Sequence, residues 1–167
     1  MQARNLILNK KQTLQKIKRI AYEIYERNYE ETEIVLAGIY DRGYFFAQKL
    51  CDVLVQISPL QIRLVKISMD KFTSSQCEIL LDTSVEDLKS KVIILTDDVL
   101  NTGRTLAYAL KPFLNIPVKK LQVAVIINRH NFSFPIAADY VGYSLATTLK
   151  EHIEVDFDES QFGVYIR

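Results

Sequence analysis

The sequence predicts an α/β fold in which a mostly parallel, twisted sheet carries helices on both faces. Three short apolar runs support this prediction, because strands that are buried on both faces read as continuous apolar segments. They are residues 34–39 (IVLAGI), 91–96 (KVIILT) and 121–127 (LQVAVII). Segments with helical spacing separate these runs, and such an alternation is typical of a doubly wound sheet.

Two helices are predicted in the first third of the chain. Residues 11–28 place Leu14, Ile17 and Ile24 on one helical face, and Asn9 is suited to cap the start of this helix. Residues 43–55 return to the same spacing after the first apolar run. The first helix therefore precedes the predicted strand at 34–39 and the second follows it, as the doubly wound fold requires.

The remaining elements are assigned from weaker patterns. Residues 61–67 alternate and are β-branched, which predicts a strand with an edge position as one option. Residues 68–90 are polar and weakly patterned, which favours a mobile loop or a hairpin. A helix is predicted over 103–114, with its end near Pro112 and Pro117. A further strand is predicted to begin with residues 138–141, and a short last strand to cover residues 163–166.

Composition limits the class of protein. A chain of 167 residues with 49% hydrophobic and 25% charged residues predicts one soluble domain over 1–167. It has no run of about 18 apolar residues, so we expect no membrane partner. The two cysteines, Cys51 and Cys77, argue against a disulfide scaffold and favour a reducing cytoplasm.

The net charge of +1 does not support a nucleic-acid partner. Basic residues do cluster near the start of the chain, where we favour a solvated helix face over an RNA-binding surface. The cluster comprises Lys10, Lys11, Lys16, Lys18 and Arg19.

The segment of residues 92–106 (VIILTDDVLNTGRTL) carries the chemistry. Asp97 and Asp98 lie at the carboxyl end of a predicted buried strand, and ligands of such folds bind at the carboxyl ends of the strands. The loop of residues 101–105 then opens a helix, and unpaired N–H groups at a helix start attract a phosphate. Two carboxylates can accept hydrogen bonds from a vicinal diol, so the segment predicts a ribose 5-phosphate site. A simple helix cap and turn is the alternative.

Other nucleotide and metal motifs fit less well. Residues 38–43 (GIYDRG) have the glycine spacing of a P-loop, but Tyr44 and Phe45 stand where that motif needs Lys and Ser or Thr. No G-x-G-x-x-G follows a predicted strand. His130 and His152 lack the spacing of zinc ligands.

Residues 97–105 (DDVLNTGRT) resemble the signature by which type I phosphoribosyltransferases bind 5-phosphoribosyl pyrophosphate (PRPP). Three further stretches are similar to the bifunctional pyrimidine-operon attenuators that are also uracil phosphoribosyltransferases. They are LILNKKQTLQKIKRIAYEIYERN, VLAGIYDRGYFFAQKL and LQVAVIINRHNFSFPIAADYVGY. The resemblance covers most of the chain apart from residues 68–90, and it implies the type I phosphoribosyltransferase fold with a reduced hood.

This resemblance also implies residue roles. Asp97 and Asp98 would hold the ribose hydroxyls, and Arg42 would face the leaving pyrophosphate. The other substrate-binding residues would be Asp41 and Gly43 in the pyrophosphate loop, Asn101, Thr102, Gly103, Arg104 and Thr105 in the 5-phosphate loop, and Val141 and Gly142 at the edge of the base. The family uses Mg²⁺ held mainly by the substrate, so no residue is assigned as a metal ligand.

Three departures from the family pattern bear on function. The relatives have a longer flap with an Arg-Asp-Asp run where this chain has residues 68–72 (SMDKF), which puts turnover in question. Tyr143 stands where the attenuators have Lys, and residues 131–134 (NFSF) are less basic than their counterparts. Both differences weaken the hypothesis that this protein binds RNA as an attenuator.

We therefore expect a phosphoribosyltransferase that acts on PRPP and a nucleobase, with uracil or a related pyrimidine favoured and a homodimer implied. The alternative is a PRPP- or nucleotide-sensing regulator with weak catalysis, which in one form binds RNA through Lys16, Lys18 and Arg19. Contact of Asp70 or Lys71 with the pyrophosphate would favour catalysis over sensing.

Overall fold

The computed structural model describes residues 4–69, 78–146, 148 and 151–167. The strands of this part of the chain are β1 (Asn5–Asn9), β2 (Glu33–Ile39), β3 (Gln61–Met69), β4 (Ile79–Leu81), β5 (Val92–Leu100), β6 (Lys120–Asn128), β7 (Tyr140–Ser144), β8 (Ile153–Asp156) and β9 (Gly163–Ile166). Its helices are α1 (Lys10–Asn28), α2 (Arg42–Ile57), α3 (Arg104–Ala109) and α4 (Lys111–Leu114), with a 3₁₀ turn at Val85–Leu88.

The larger sheet has six strands in the order β4-β3-β2-β5-β6-β7. All neighbours in it are parallel except β3 and β4. The three apolar runs of the sequence form its central strands β2, β5 and β6, and every residue from Ile34 to Ile39 is buried. The predicted α/β fold with a mostly parallel sheet is confirmed.

Helices cover both faces of this sheet, as predicted. Side chains of β2 alternate between the two faces, because successive residues of a strand point in opposite directions. Leu36 packs with the apolar faces of α1 and α2, whereas Val35 packs with α3 and α4. Asn9 caps α1 in a capping box with Gln12, which confirms its predicted role. Among the described residues, no helix has the length and apolarity that crossing a bilayer requires.

Two details of the sequence prediction are corrected by the structure. The strand β3 does not lie at the edge, because β4 pairs outside it. The helix predicted over 103–114 is divided into α3 and α4. Pro112 accounts for this break, because proline has no N–H to bond to the carbonyl four residues earlier.

Residues 68–90 form a hairpin in part, since Ile67 of β3 pairs with Leu81 of β4. Residues 70–77 lie outside the described part of the chain. The predicted contacts of Asp70 and Lys71 therefore concern residues whose positions are not described.

A second, smaller sheet joins the two ends of the chain. Its three antiparallel strands have the order β1-β9-β8, and we call it the hood sheet. The predicted strand at 163–166 is confirmed as β9, whereas β1 and β8 were not predicted. The hood sheet contacts the larger sheet near the carboxyl end of β5, where the candidate site lies.

Candidate active site

Asp97 and Asp98 lie inside β5 rather than after it, because the strand continues to Leu100. Asp97 is only 5% exposed, and its Oδ1 accepts a hydrogen bond from the backbone N–H of Asp98 at 3.0 Å. The side chain of Asp98 keeps 15% of its surface exposed. Both carboxylates lie beside the first turn of α2, since a Cβ on Gly43 would stand 3.1 Å from Oδ1 of Asp97 and Nη1 of Arg42 lies 4.0 Å from Oδ2 of Asp98.

The loop that follows β5 encloses a small cavity of about 130 Å³. Its lining includes Asp97 and all five residues of the predicted phosphate loop, Asn101, Thr102, Gly103, Arg104 and Thr105. Thr102 and Thr105 bring hydroxyl groups to its lining, and the backbone N–H of Arg104, the first of α3, donates to Oγ1 of Thr102 at 3.3 Å. The arrangement suits a small anion.

Two features hold this loop in shape. Gly103 has a φ of +84°, and a Cβ at this position would lie 3.2 Å from the side chain of Ile136. The backbone carbonyl of Thr102 accepts hydrogen bonds from the N–H groups of Ser133 (2.9 Å) and Phe134 (3.0 Å). The segment after β6 therefore supports the loop after β5.

The first turn of α2, which begins at Arg42, lies directly against β5. A Cβ on Gly43 would stand 2.6 Å from the carbonyl oxygen of Thr96 and 3.0 Å from the Cα of Asp97, so only glycine allows this approach. Thr96 also donates its hydroxyl hydrogen to the carbonyl of Gly43 at 2.8 Å. Asp41 is exposed, and the peptide bond between Tyr40 and Asp41 is cis.

Arg42 connects the larger sheet with the hood sheet. Its Nη2 donates to Oε1 of Glu154 in β8 at 2.7 Å, and its Nη1 lies 4.0 Å from Oδ2 of Asp98. The hydrogen bond from Arg42 lowers the pKa of the Glu154 carboxyl, with smaller contributions from the charges of Arg167 and Arg4. Sequence reasoning missed Glu154, because no motif surrounds it in β8.

Val141 and Gly142 lie in β7, two strands from the carboxylates and about 10 Å away across the sheet. Nη2 of Arg19 donates to both of their carbonyl oxygens, at 3.0 Å and 2.6 Å. A Cβ on Gly142 would lie 2.6 Å from the carbonyl oxygen of Ile126, so this glycine keeps β7 close to β6. Arg19 thereby fixes the segment that was predicted to read the base.

Two asparagines lie at the ends of neighbouring strands, with Asn101 as the first residue of the phosphate loop after β5 and Asn128 as the last residue of β6. Oδ1 of Asn101 accepts from Nδ2 of Asn131 at 3.1 Å. Asn128 is 7% exposed, and its Oδ1 accepts from the backbone N–H of His130 at 3.0 Å. In both cases the oxygen is engaged, so the NH₂ group is the part of the amide left to donate. Asn128 was not predicted; its place at the end of a buried strand is the signal that was available.

A family model described as phosphoribosyl transferase domain matches residues 4–160. Proteins named "Bifunctional protein PyrR" are similar over nearly the full length. The one from Clostridium acetobutylicum is 38% identical over 95% of this chain and 96% of the relative, and the one from Bacillus cereus is 36% identical over 96% and 94%.

Solved structures agree with the fold. A hypoxanthine phosphoribosyltransferase of Trypanosoma cruzi is similar with a TM-score of 0.80 and 18% identity, over 97% of this chain and 89% of that one. A hypoxanthine-guanine phosphoribosyltransferase of Bacillus anthracis has a TM-score of 0.76 and 18% identity, over 97% and 96%. At this level of identity the likeness concerns the fold alone.

Proposed function

This chain belongs to the type I phosphoribosyltransferase family of enzymes, and from that premise we propose that it transfers ribose 5-phosphate from PRPP to a nucleobase with an oxo group, uracil or a related pyrimidine. One observation carries the proposal. The anion cavity of residues 101–105, the carboxylates of Asp97 and Asp98, and the guanidinium of Arg42 lie together at the carboxyl end of β5. These are the groups that the three parts of PRPP would require.

The 5-phosphate would occupy the cavity behind Thr102 and Thr105. Their hydroxyl groups and the N–H groups of the first turn of α3 would donate to an anion there, the N–H of Arg104 after release from Oγ1 of Thr102, and Arg104 adds a positive charge at the rim. Gly103 keeps the cavity open, because a side chain at this point would fill space next to Ile136.

The ribose diol would be held by the carboxylates of Asp97 and Asp98, which accept hydrogen bonds from its 2- and 3-hydroxyls. Their negative charge would also stabilise the positive charge that develops on the sugar ring. The donor set fits Mg²⁺, because this ion prefers oxygen ligands and usually keeps one or two carboxylates together with substrate oxygens and water. When bound, Mg²⁺ would neutralise charge on the pyrophosphate.

In the reaction the bond between the anomeric carbon and the pyrophosphate oxygen breaks, and a ring nitrogen of the base bonds to that carbon. The electron pair leaves with pyrophosphate, and the nitrogen loses its proton. Arg42 would stabilise the charge on the departing pyrophosphate. The close contact of Gly43 with Thr96 holds Arg42 next to the carboxylates of Asp97 and Asp98. The group proposed to bind pyrophosphate and the groups proposed to bind ribose are thereby kept side by side.

The base would lie between the ribose site and β7. The NH₂ group of Asn128 at the end of β6 would donate to the base, and a donor there favours a base that presents carbonyl oxygens, such as uracil, over one that presents an amino group. Val141 and Gly142 are proposed to contact the edge of the base. The resemblance to attenuators with uracil phosphoribosyltransferase activity supports the same choice, and it supports a homodimer.

The test is pyrophosphate release from PRPP and Mg²⁺ with a panel of bases: uracil, thymine, cytosine, hypoxanthine, guanine and adenine. We expect release with uracil and none with adenine or cytosine. Release with an amino-substituted base alone would contradict the assignment of the base, whereas PRPP binding without release from any base would favour a sensor.

A PRPP-sensing regulator that binds RNA is the second candidate. The observation in its favour is the exposed face of α1, where Lys10, Lys11 and Lys18 surround Leu14 in an open groove. Other contacts engage part of this basic surface within the fold: Arg19 bonds to β7, Lys16 lies 5.6 Å above the ring of Tyr143, and Lys10 pairs with Glu159. An RNA affinity that falls steeply with salt would support this candidate.

A further inference from the structure

We propose that Glu154 of the hood sheet is a positioning residue of the phosphoribosyl-transfer site, which fixes the guanidinium of Arg42 for the pyrophosphate group. The inference rests on the proposed function, because it assigns a partner to a residue of that site. Glu154 does not touch the reacting atoms in this account, and its effect passes through Arg42.

The contact between the two side chains crosses from one sheet to the other. Arg42 begins α2 beside β5, and Glu154 lies in β8, 112 residues later in the chain. The hydrogen bond of 2.7 Å from Nη2 to Oε1 joins an exposed side chain to a sheltered one, since 40% of the Arg42 side chain is exposed but only 17% of that of Glu154. The carboxylate is the fixed partner.

Asp98 does not hold Arg42 in this structure. Its Oδ2 is 4.0 Å from Nη1 of Arg42, which is beyond hydrogen-bond distance. An exposed arginine without a bonded partner samples several rotamers, and ordering it costs conformational entropy when a ligand binds. Glu154 removes that cost before the substrate arrives.

The bond to Glu154 leaves Arg42 able to bind an anion. An arginine side chain has five N–H donors in a planar fork, and the contact with Glu154 uses one of them. Arg4 and Arg167 lie 3.7 Å and 3.9 Å from Oε2 of Glu154, so their charges offset the carboxylate on its far side. The guanidinium is therefore oriented without being neutralised.

Two further contacts keep β8 in place at this point. Nη2 of Arg4 bonds to Oδ2 of Asp156 at 2.7 Å, and the ring of Phe157 stacks on that of Phe45 in α2 with centroids 6.0 Å apart. The hood sheet thus meets the first turns of α2 through the stack of Phe157 on Phe45 and the pair of Glu154 with Arg42, while Arg4 ties β8 to the start of β1. Glu154 is placed by its strand and not by Arg42 alone.

A double-mutant cycle tests the inference. The variants are Glu154→Ala, Arg42→Ala and the double variant, with PRPP and pyrophosphate affinities measured by calorimetry in the presence of Mg²⁺. We expect Glu154→Ala to weaken both affinities about tenfold and to leave the KM for the base unchanged. Because Glu154 acts through Arg42, the double variant should bind no more weakly than Arg42→Ala.

Two additional variants separate positioning from stability. Glu154→Gln keeps an oxygen that accepts the hydrogen bond, so it should restore most of the PRPP affinity. Glu159→Ala removes an exposed acid of the same region that pairs with Lys10, and it should leave the affinity unchanged.

Additive effects in the cycle, or a Glu154→Ala variant that loses melting temperature but keeps its PRPP affinity, would overturn the inference and leave the proposed function standing. If the parent protein binds neither PRPP nor pyrophosphate, the proposed function fails and the role of Glu154 falls with it.

Discussion

The carboxyl edge of the larger sheet and the hood sheet contribute to the candidate site by different means. Asp97, Asp98 and the phosphate loop belong to one continuous segment of chain. The backbone of Gly43 packs directly against the backbone of that segment. The hood sheet instead reaches the site through side chains, chiefly the contact of Glu154 with Arg42.

This difference bears on how each region tolerates change. Backbone geometry in a buried parallel sheet is set by register and close packing, and it shifts only at a large cost. A side-chain ion pair can be exchanged for another without moving the backbone. We therefore expect substitutions at the carboxyl end of β5 to weaken PRPP binding strongly. Substitutions in the hood sheet should weaken it moderately or affect only stability.

The largest effect should follow Asp98→Asn. Losing the charge of a carboxylate that accepts hydrogen bonds from the ribose diol should weaken PRPP binding about 100-fold. The side chain is partly exposed, so the melting temperature should change by less than about 3 °C. Calorimetry and thermal denaturation measure both, with Asp87→Asn at the exposed 3₁₀ turn as the control.

A large loss of melting temperature with unchanged PRPP affinity would show that the aspartate pair is structural. The larger sheet would then hold the carboxylates for stability, and the difference between the two regions would disappear.

A matched pair of glycine substitutions compares the regions directly. The Cβ of Gly43→Ala would lie 2.6 Å from the carbonyl oxygen of Thr96, and that of Gly163→Ala would lie 2.6 Å from the carbonyl oxygen of Leu8 in the hood sheet. Each should cost about 1–3 kcal/mol of unfolding free energy. Gly43→Ala should also weaken PRPP binding about tenfold, because the shift reaches Arg42 and Asp97.

Gly163→Ala should change PRPP affinity much less than Gly43→Ala at a similar loss of stability. Equal losses of affinity from both variants would mean that the two sheets act on the site as one rigid unit. Denaturant unfolding and calorimetry on the same samples decide between these outcomes.

The ion pair of Glu154 should make stability depend on pH. Its pKa is lower in the folded protein than the ordinary value of 4.5, so its contribution is fully present above that value and is lost as pH falls through the lowered pKa. At pH 7 the parent should melt about 2–4 °C above Glu154→Gln, and the difference should shrink as the pH falls through the lowered pKa. A difference that stays constant as the pH is lowered through the acid range would contradict this assignment.

The smallest effect should come from the pair of Lys10 and Glu159. Both side chains are largely exposed, and exposed ion pairs contribute little because water and salt screen them. Glu159→Gln should leave both the midpoint of denaturant unfolding and the PRPP affinity measured by calorimetry unaltered. A loss of affinity would indicate that the surface near the start of α1 acts on the site.

The larger sheet could be predicted because its signal is local. Each of its central strands is a continuous apolar run, and Asp97 and Asp98 follow such a run directly in the sequence. Helix starts could be predicted for the same reason, as the cap at Asn9 shows. The resemblance to phosphoribosyltransferases is confirmed at the level of the family, and the roles of individual site residues stay predictions.

The hood sheet could not be predicted in the same way. Its strands β1 and β8 have five and four residues, and β1 pairs with a strand at the other end of the chain. Glu154 meets a partner 112 residues away in the chain, and no pattern in the residues around it predicts that contact. The break at Pro112 was misjudged because a proline near the start of a helix and one that interrupts a helix look alike in sequence.

Calorimetric titration of the protein with PRPP, with and without Mg²⁺, tests the central claim most directly. The account predicts that one PRPP binds per chain, that binding is stronger with Mg²⁺, and that Asp98→Asn weakens it about 100-fold. No binding under either condition, or binding that Asp98→Asn leaves unchanged, would contradict the assignment of the carboxyl edge of β5 as a PRPP site.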